Sequence, residues 1–244
     1  MDSEQARIGT SYCGPPPEPG GLWSSWNLDP VLIAALLLSL VWGLRHAEAR
    51  TLFLAGWTGL VLAFVSPLCA LTTALFSARA VHHLLLVGLA APALAAGLPL
   101  RRVPAAAGFA ATGLALVIWH VPAAYSAAWN SAAVYWLMQA ALFVPAWAFW
   151  SAVFLPGDRS AEALLVHALL VGALAGTMGL IGAVLAFSDR VLYPQHLAGS
   201  WAWGVEALAD QQAAGLVMWV PGLVPLALVA ALMLRRVWRQ GAAA

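Results

Sequence analysis

Residues 163–187 read ALLVHALLVGALAGTMGLIGAVLAF, a run with one histidine and no charged side chain. At about 1.5 Å of rise per residue such a segment, held as a helix, crosses the roughly 30 Å of a bilayer's hydrocarbon. A stretch this apolar, followed by another of the same kind, sets the solvent of the fold as lipid. The rest of the chain agrees: 63% of its 244 residues are hydrophobic and only 9% are charged. A water-soluble domain would need far more polar surface.

Working outward from this segment, the hydropathy pattern predicts spans near 30–46, 51–75, 80–100, 104–122, 131–155, 163–187 and 212–234. We therefore expect an all-α, polytopic membrane helix bundle of about seven transmembrane helices. Residues 1–29 read as an outer Pro/Gly-rich tail, 30–234 as the membrane domain, and 235–244 as a cytoplasmic tail. The N-terminal tail lacks the basic start and apolar core of a cleavable signal, so it is expected to stay on the mature protein. Gly172, Gly176, Gly179 and Gly182 recur at helical spacing in the sixth segment, where small residues let a second helix approach closely.

Every basic residue is arginine, and the formal net charge is +1. No basic tract could neutralise a run of phosphates, so nucleic acid is excluded as a partner. With the spans above, Arg45, Arg50, Arg101, Arg102, Arg159, Arg235, Arg236 and Arg239 fall on one side, against Arg7, Arg79 and Arg190 on the other. The positive-inside tendency then places the C-terminus in the cytoplasm and the N-terminus outside. Trp23, Trp26, Trp119, Trp129, Trp201, Trp203 and Trp238 sit where interfacial anchors are expected.

Polar side chains at membrane depth are costly, which makes His82, His83, His120, His167 and Gln139 informative. His82 and His83 start the third span and His120 ends the fourth, so three imidazoles share the outer leaflet. Met218 and Cys69 lie at similar depth. Imidazole with thioether or thiolate suits Cu(I), whereas a zinc hydrolase would want a carboxylate and an open water position. The bland reading is that these histidines cap helices or meet headgroups, and that Met218 and Cys69 fill core gaps. His167 falls near the cytoplasmic end, and His46 and His196 fall in loops, where they need no special role. Asp210 either sits favourably at a helix N-terminus or orients an imidazole. Cys13 and Cys69 lie far apart without CxxC spacing, so a structural disulfide is not expected. No Ser-His-Asp or Cys-His arrangement and no phosphate loop is present, and an enzyme is not expected.

Several ordered motifs carry a family resemblance. They are Tyr12-Cys13-Gly14-Pro15-Pro16-Pro17, Trp26-Asn27-Leu28-Asp29-Pro30, Ser66-Pro67-Leu68-Cys69, Leu75-Phe76-Ser77-Ala78-Arg79-Ala80-Val81-His82-His83, Trp119-His120-Val121-Pro122, Tyr135-Trp136-Leu137-Met138 and Asp210-Gln211-Gln212 through Met218-Trp219-Val220-Pro221. Together they resemble the multi-spanning CtaG-type cytochrome c oxidase assembly proteins over nearly the whole chain. The resemblance implies a seven-helix assembly factor for a haem–copper oxidase, with transient handling of Cu(I), whose partners are oxidase subunits or other assembly factors. Its pattern of a His-xxx-His pair in the third span and a histidine in the fifth appears here as Arg79-xxx-His83 and Gln139. His83 and His120 are thus the leading metal candidates, with His82, Met218 and Cys69 secondary, and Asp210, Gln211, Gln139 and Arg79 in supporting positions. Arg79 would repel a bound cation unless paired, for which Asp210 is the expected partner. Two other readings stand beside this one: a transporter or channel for a metal or small solute, which needs polar groups at several depths, and a ligand-free scaffold for oxidase subunits.

Overall fold

The computed structural model describes residues 11–154 and 160–241. Arg7 and Arg159, two of the arginines that set the expected orientation, lie outside them. The described residues are helical, with no strand among them. The helices are α1 (Pro30–His46), α2 (Arg50–Phe64), α3 (Pro67–Ala74), α4 (Phe76–Leu84), α5 (Ala91–Gly97), α6 (Ala105–Trp119), α7 (Pro122–Asn130), α8 (Ala132–Phe154), α9 (Ala161–Ala186), α10 (Leu197–Ala202) and α11 (Ala207–Gly241).

Four stretches are long and apolar enough to cross a membrane: Phe76–Gly97, Ala132–Phe154, Ala161–Ala186 and Ala207–Gln240. The total reaches six if the bent pairs α2–α3 and α6–α7 each make one span, and α1 is a shorter apolar helix. Large apolar side chains face outward along these helices, among them Leu38, Leu114, Leu169, Leu180 and Val220. Apolar surface displayed on every side suits lipid, not water.

Prolines decide where the expected spans break. Pro67 and Pro122 have no N–H to continue a helix and push the residue before them into extended backbone. Ser66 (ψ 168°) and Val121 (ψ 126°) adopt that conformation. The chain bends by 46° between α2 and α3, and by 81° between α6 and α7. Ser66 caps α3 by accepting from Leu68 N, while Asn27 serves the end of α2, its Nδ2 donating to the Phe64 carbonyl at 3.1 Å. In the third span Leu85–Ala90 forms a π-helical turn just before Pro92. This is the widened form by which a helix absorbs a residue that cannot donate.

The core centres on α8, where Tyr135, Met138, Leu142, Ala146, Phe149 and Trp150 are all buried. The glycine stripe of α9 acts at one end only. A Cβ on Gly182 would lie 2.7 Å from the Gly215 carbonyl oxygen, and one on Gly215 would lie 2.5 Å from Ala186 N, so α9 and α11 touch backbone to backbone there. Gly172 and Gly176 have nothing within 4 Å. Trp23, Trp201 and Trp238 are about 80% exposed, as interfacial anchors would be, but Trp119 is buried in the core and Trp203 donates from Nε1 to the Pro17 carbonyl at 2.8 Å.

The cysteines overturn an expectation. Cys13 and Cys69 form a disulfide across a sequence separation of 56. Spacing along the chain carried no hint of it because the N-terminal tail folds back over the ends of α2, α3 and α8. Tyr12 donates to Asp29 at 2.9 Å and its ring stacks on Tyr135 at 5.0 Å. Asn27 Nδ2 reaches Cys69 Sγ at 3.7 Å.

Candidate functional site

The buried polar groups gather around the first two turns of α4. Arg79, His82 and His83 are each 4% exposed or less, one helical turn separating Arg79 from His83. Asp210 holds the start of this helix: its carboxylate accepts from Phe76 N at 2.5 Å, from Ser77 N at 3.2 Å and from the Ser77 hydroxyl. These amides have no partner within the helix, and a carboxylate also suits the positive end of the helix dipole. Asp210 therefore neither pairs with Arg79 nor orients an imidazole. It sits near the start of α11, and the capping contact ties α11 to α4.

Arg79 lies between two phenol rings, its guanidinium carbon 5.8 Å from the centroids of both Tyr125 and Tyr135. Its Nη2 donates to the Thr72 carbonyl at 3.4 Å, and neither Nε nor Nη1 meets a partner. Cation–π attraction to two rings partly compensates a buried charge that no carboxylate among the described residues neutralises. The sequence reading missed both tyrosines and also His196. That histidine comes from the loop between α9 and α11, is 1% exposed, and shares a 2.6 Å hydrogen bond between its Nε2 and the Tyr125 hydroxyl. Burial, and then the charge of Arg79, push the His196 pKa down to about 3, against a smaller opposing pull from the Ala74 backbone. Nothing in the chain near residue 196 announces this; the nearest signal is Pro194, which starts the short 3-10 turn that delivers the ring.

The imidazoles of His83 and His120 meet with ring centroids 6.1 Å apart and planes at 82°. His120 Nδ1 lies 2.6 Å from the Leu116 carbonyl, which requires a proton on Nδ1 and leaves Nε2 as the nitrogen with a free lone pair. Both nitrogens of His83 are buried without a partner. His82 packs its ring edgewise on Phe64, at 5.3 Å, and stands 5.8 Å from His83.

The secondary candidates separate from this pair. Met218 packs with Phe76, Ala80, Tyr125, Leu185 and Tyr193 in an aromatic cluster. Cys69 is fully buried and bonded to Cys13, so in this oxidised form it offers no thiolate. Gln211 stitches the loop between α9 and α10, accepting from Leu192 N at 2.7 Å and donating to the Arg190 carbonyl at 3.1 Å. Gln139 is buried one turn from Tyr135, with whose hydroxyl it interacts, and it lines a groove against α1. Among the described residues no set of three or more His, Cys, Asp or Glu side chains is placed to hold one metal ion.

An all-helical bundle with apolar outer faces and a buried imidazole and guanidinium cluster at one end defines a polytopic membrane protein. The family model described as cytochrome c oxidase caa3 assembly factor matches residues 35–112 and 103–240. The chain belongs to that family of oxidase assembly factors. Comparison with curated proteins and with solved structures finds no match.

Proposed function

We propose that this protein assists the assembly of a haem–copper cytochrome c oxidase from the outer face of a bacterial inner membrane, and that His83 and His120 hold Cu(I) in transit. The observation that carries the proposal is the His83 ring, buried with both nitrogens unpartnered and 6.1 Å from the ring of His120. Buried polar groups are normally satisfied, so an orphaned imidazole beside a second one is the arrangement expected of a ligand pair. Two imidazoles bound at about 2 Å to opposite sides of one ion would bring their centroids roughly 6 Å apart. A pair suits a cargo ion that must be passed on, and Cu(I) tolerates low coordination with nitrogen donors better than zinc, which takes four ligands.

Seven spans with the N-terminus outside are part of this reading. Counting α1 and both bent pairs with the four long helices supports the number. The Cys13–Cys69 disulfide supports the side, because such bonds persist in oxidising compartments. The lack of a third ligand among the described residues favours one alternative, a ligand-free scaffold that binds oxidase subunits through helix contacts.

Anaerobic Cu(I) titration against a competing chelator, on the protein and on His83→Ala and His120→Ala, separates the two. Binding of about one ion, lost in both variants, is the expected result. Equal binding by all three proteins, or none by any, refutes the copper site and leaves the scaffold.

A further inference from the structure

Cys69 is fully buried in the first turn of α3, and Cys13 sits in a turn of the N-terminal tail closed by Gly14 N donating to the Ser11 carbonyl at 2.9 Å. A hydrogen-bond donor is aimed at each sulfur of their disulfide. The Asn27 amide, which also serves the Phe64 carbonyl, brings Nδ2 to 3.7 Å from Cys69 Sγ. The Tyr135 hydroxyl stands 3.4 Å from Cys13 Sγ, and because a disulfide sulfur carries no proton, the phenol is the donor. A neutral disulfide is a weak acceptor and gains little from these contacts, whereas a thiolate is stabilised by both.

The same end of the bundle holds an unneutralised positive charge that is linked to both cysteines. The Arg79 guanidinium carbon lies 5.8 Å from the ring of Tyr135, whose hydroxyl meets Cys13. Arg79 Nη2 donates to the carbonyl of Thr72, one turn after Cys69, and the Thr72 hydroxyl donates to the Cys69 carbonyl at 2.7 Å. Among the described residues no carboxylate pairs with this guanidinium. A buried cation is costly unless an anion comes beside it, and a closed disulfide supplies none.

We propose that the reduced pair is a second Cu(I) site, in which Cys13 and Cys69 grip one ion as a bis-thiolate and the disulfide is the closed state. A protein dithiol opens it by exchange: the S–S bond breaks, two electrons and two protons pass to Cys13 and Cys69, and the reductant leaves as its own disulfide. Cu(I) then displaces both thiol protons, so a neutral dithiol and a monovalent cation give a complex carrying one negative charge and release two protons. That negative charge is the counter-ion Arg79 lacks. Soft thiolates select Cu(I), and two of them in line across one ion lie roughly 4.5 Å apart, within reach of Cα atoms 5.4 Å apart. The site rests on the reading of copper as cargo but not on His83 and His120.

The full chain, purified in mild non-ionic detergent, is divided into an oxidised portion and one reduced with a phosphine that is then removed. Both are titrated anaerobically with Cu(I) against bicinchoninate. Cys13→Ser/Cys69→Ser, His83→Ala and Arg79→Met are run alongside, each accepted only with the gel-filtration profile of the unsubstituted protein. We expect reduction to add one ion in the unsubstituted protein and in His83→Ala, and none in the double-serine variant. X-ray absorption on reduced His83→Ala should show two sulfur neighbours on the added copper. Arg79→Met should loosen the added ion by about fifteenfold, for opposite charges roughly 10 Å apart at an effective dielectric near 20, while tightening the ion held by oxidised protein. Oxidised protein that binds no ion would refute the histidine pair alone and leave this site standing. The same number of ions before and after reduction, an added ion without sulfur neighbours, or loss of the gel-filtration profile on reduction would each overturn the dithiolate site. So would an added ion that Arg79→Met leaves as tightly bound, the mark of thiols in an unfolded chain.

Discussion

Reducing the Cys13–Cys69 disulfide, or replacing both residues with serine, should destabilise the fold by an amount that the topology sets. A cross-link over a separation of 56 residues restricts an unfolded chain by about 4 kcal/mol at 25 °C. In a membrane the reference state keeps its helices, so the 17 residues of α1 and the 15 of α2 within the loop are already ordered, which leaves 24. The same relation then gives about 3.5 kcal/mol. For a chain of this size that corresponds to a fall in the thermal midpoint of about 7–14 °C. Maleimide labelling of the unfolded protein counts thiols before and after reduction, and a thermal shift in detergent reads the midpoint. Two reactive thiols without reductant, or a midpoint that reduction leaves in place, would refute both the pairing and the idea that the tail is clamped to α3.

The charge of Arg79 stands one turn from His83 and opposes a cation there, so Arg79→Met should tighten Cu(I) binding by about 2 kcal/mol, near thirtyfold, for charges about 8 Å apart at an effective dielectric near 20; an unchanged affinity in the chelator titration contradicts it. Asp210→Ala leaves the Phe76 and Ser77 amides without their acceptor and should cost about 1.5–3 kcal/mol, read as a lower thermal midpoint, with Asp210→Asn milder in the same direction. His196 is held neutral in the fold with its pKa near 3, while in the unfolded chain it titrates near 6.5. Between those values the unfolded state binds the extra proton, so stability is complete above about pH 6.5 and falls by about 1.4 kcal/mol per unit as the pH drops toward 3. Thermal midpoints across this range should show that slope in the protein and lose it in His196→Phe.

Three of the seven expected spans were legible in the sequence almost to the residue, while 51–75 and 104–122 break into bent pairs, 80–100 starts four residues earlier, and 212–234 runs from 207 to 241. The span expected at 30–46 is α1, that at 131–155 is α8 within a residue of each end, and that at 163–187 is α9 with a start two residues earlier. Pro67 and Pro122 were visible too, but the size of the bends they cause depends on what packs beyond them. Of the candidate site, His83 and His120 were placed together because each lies at the same end of its span. Of the supporting residues Arg79 does stand one turn from His83, but Asp210 and Gln211 serve other ends, and His196, read as an ordinary loop residue, joins the buried polar groups. Asp210 reaches the start of a helix 134 residues earlier, Gln211 stitches the loop after α9, and His196 comes in from that loop to meet Tyr125.

Hydrophobicity adds up along the chain, so residues 163–187 alone fix a lipid solvent, and a proline removes a donor wherever it stands. These are local causes, and the sequence by itself determined their effects. Which polar side chains share a buried site depends on how separate helices pack and on where the N-terminal tail and the loop after α9 fold back. The pairing of Cys13 with Cys69, the enclosure of Arg79 by Tyr125 and Tyr135, and the meeting of His196 with Tyr125 were decided only there.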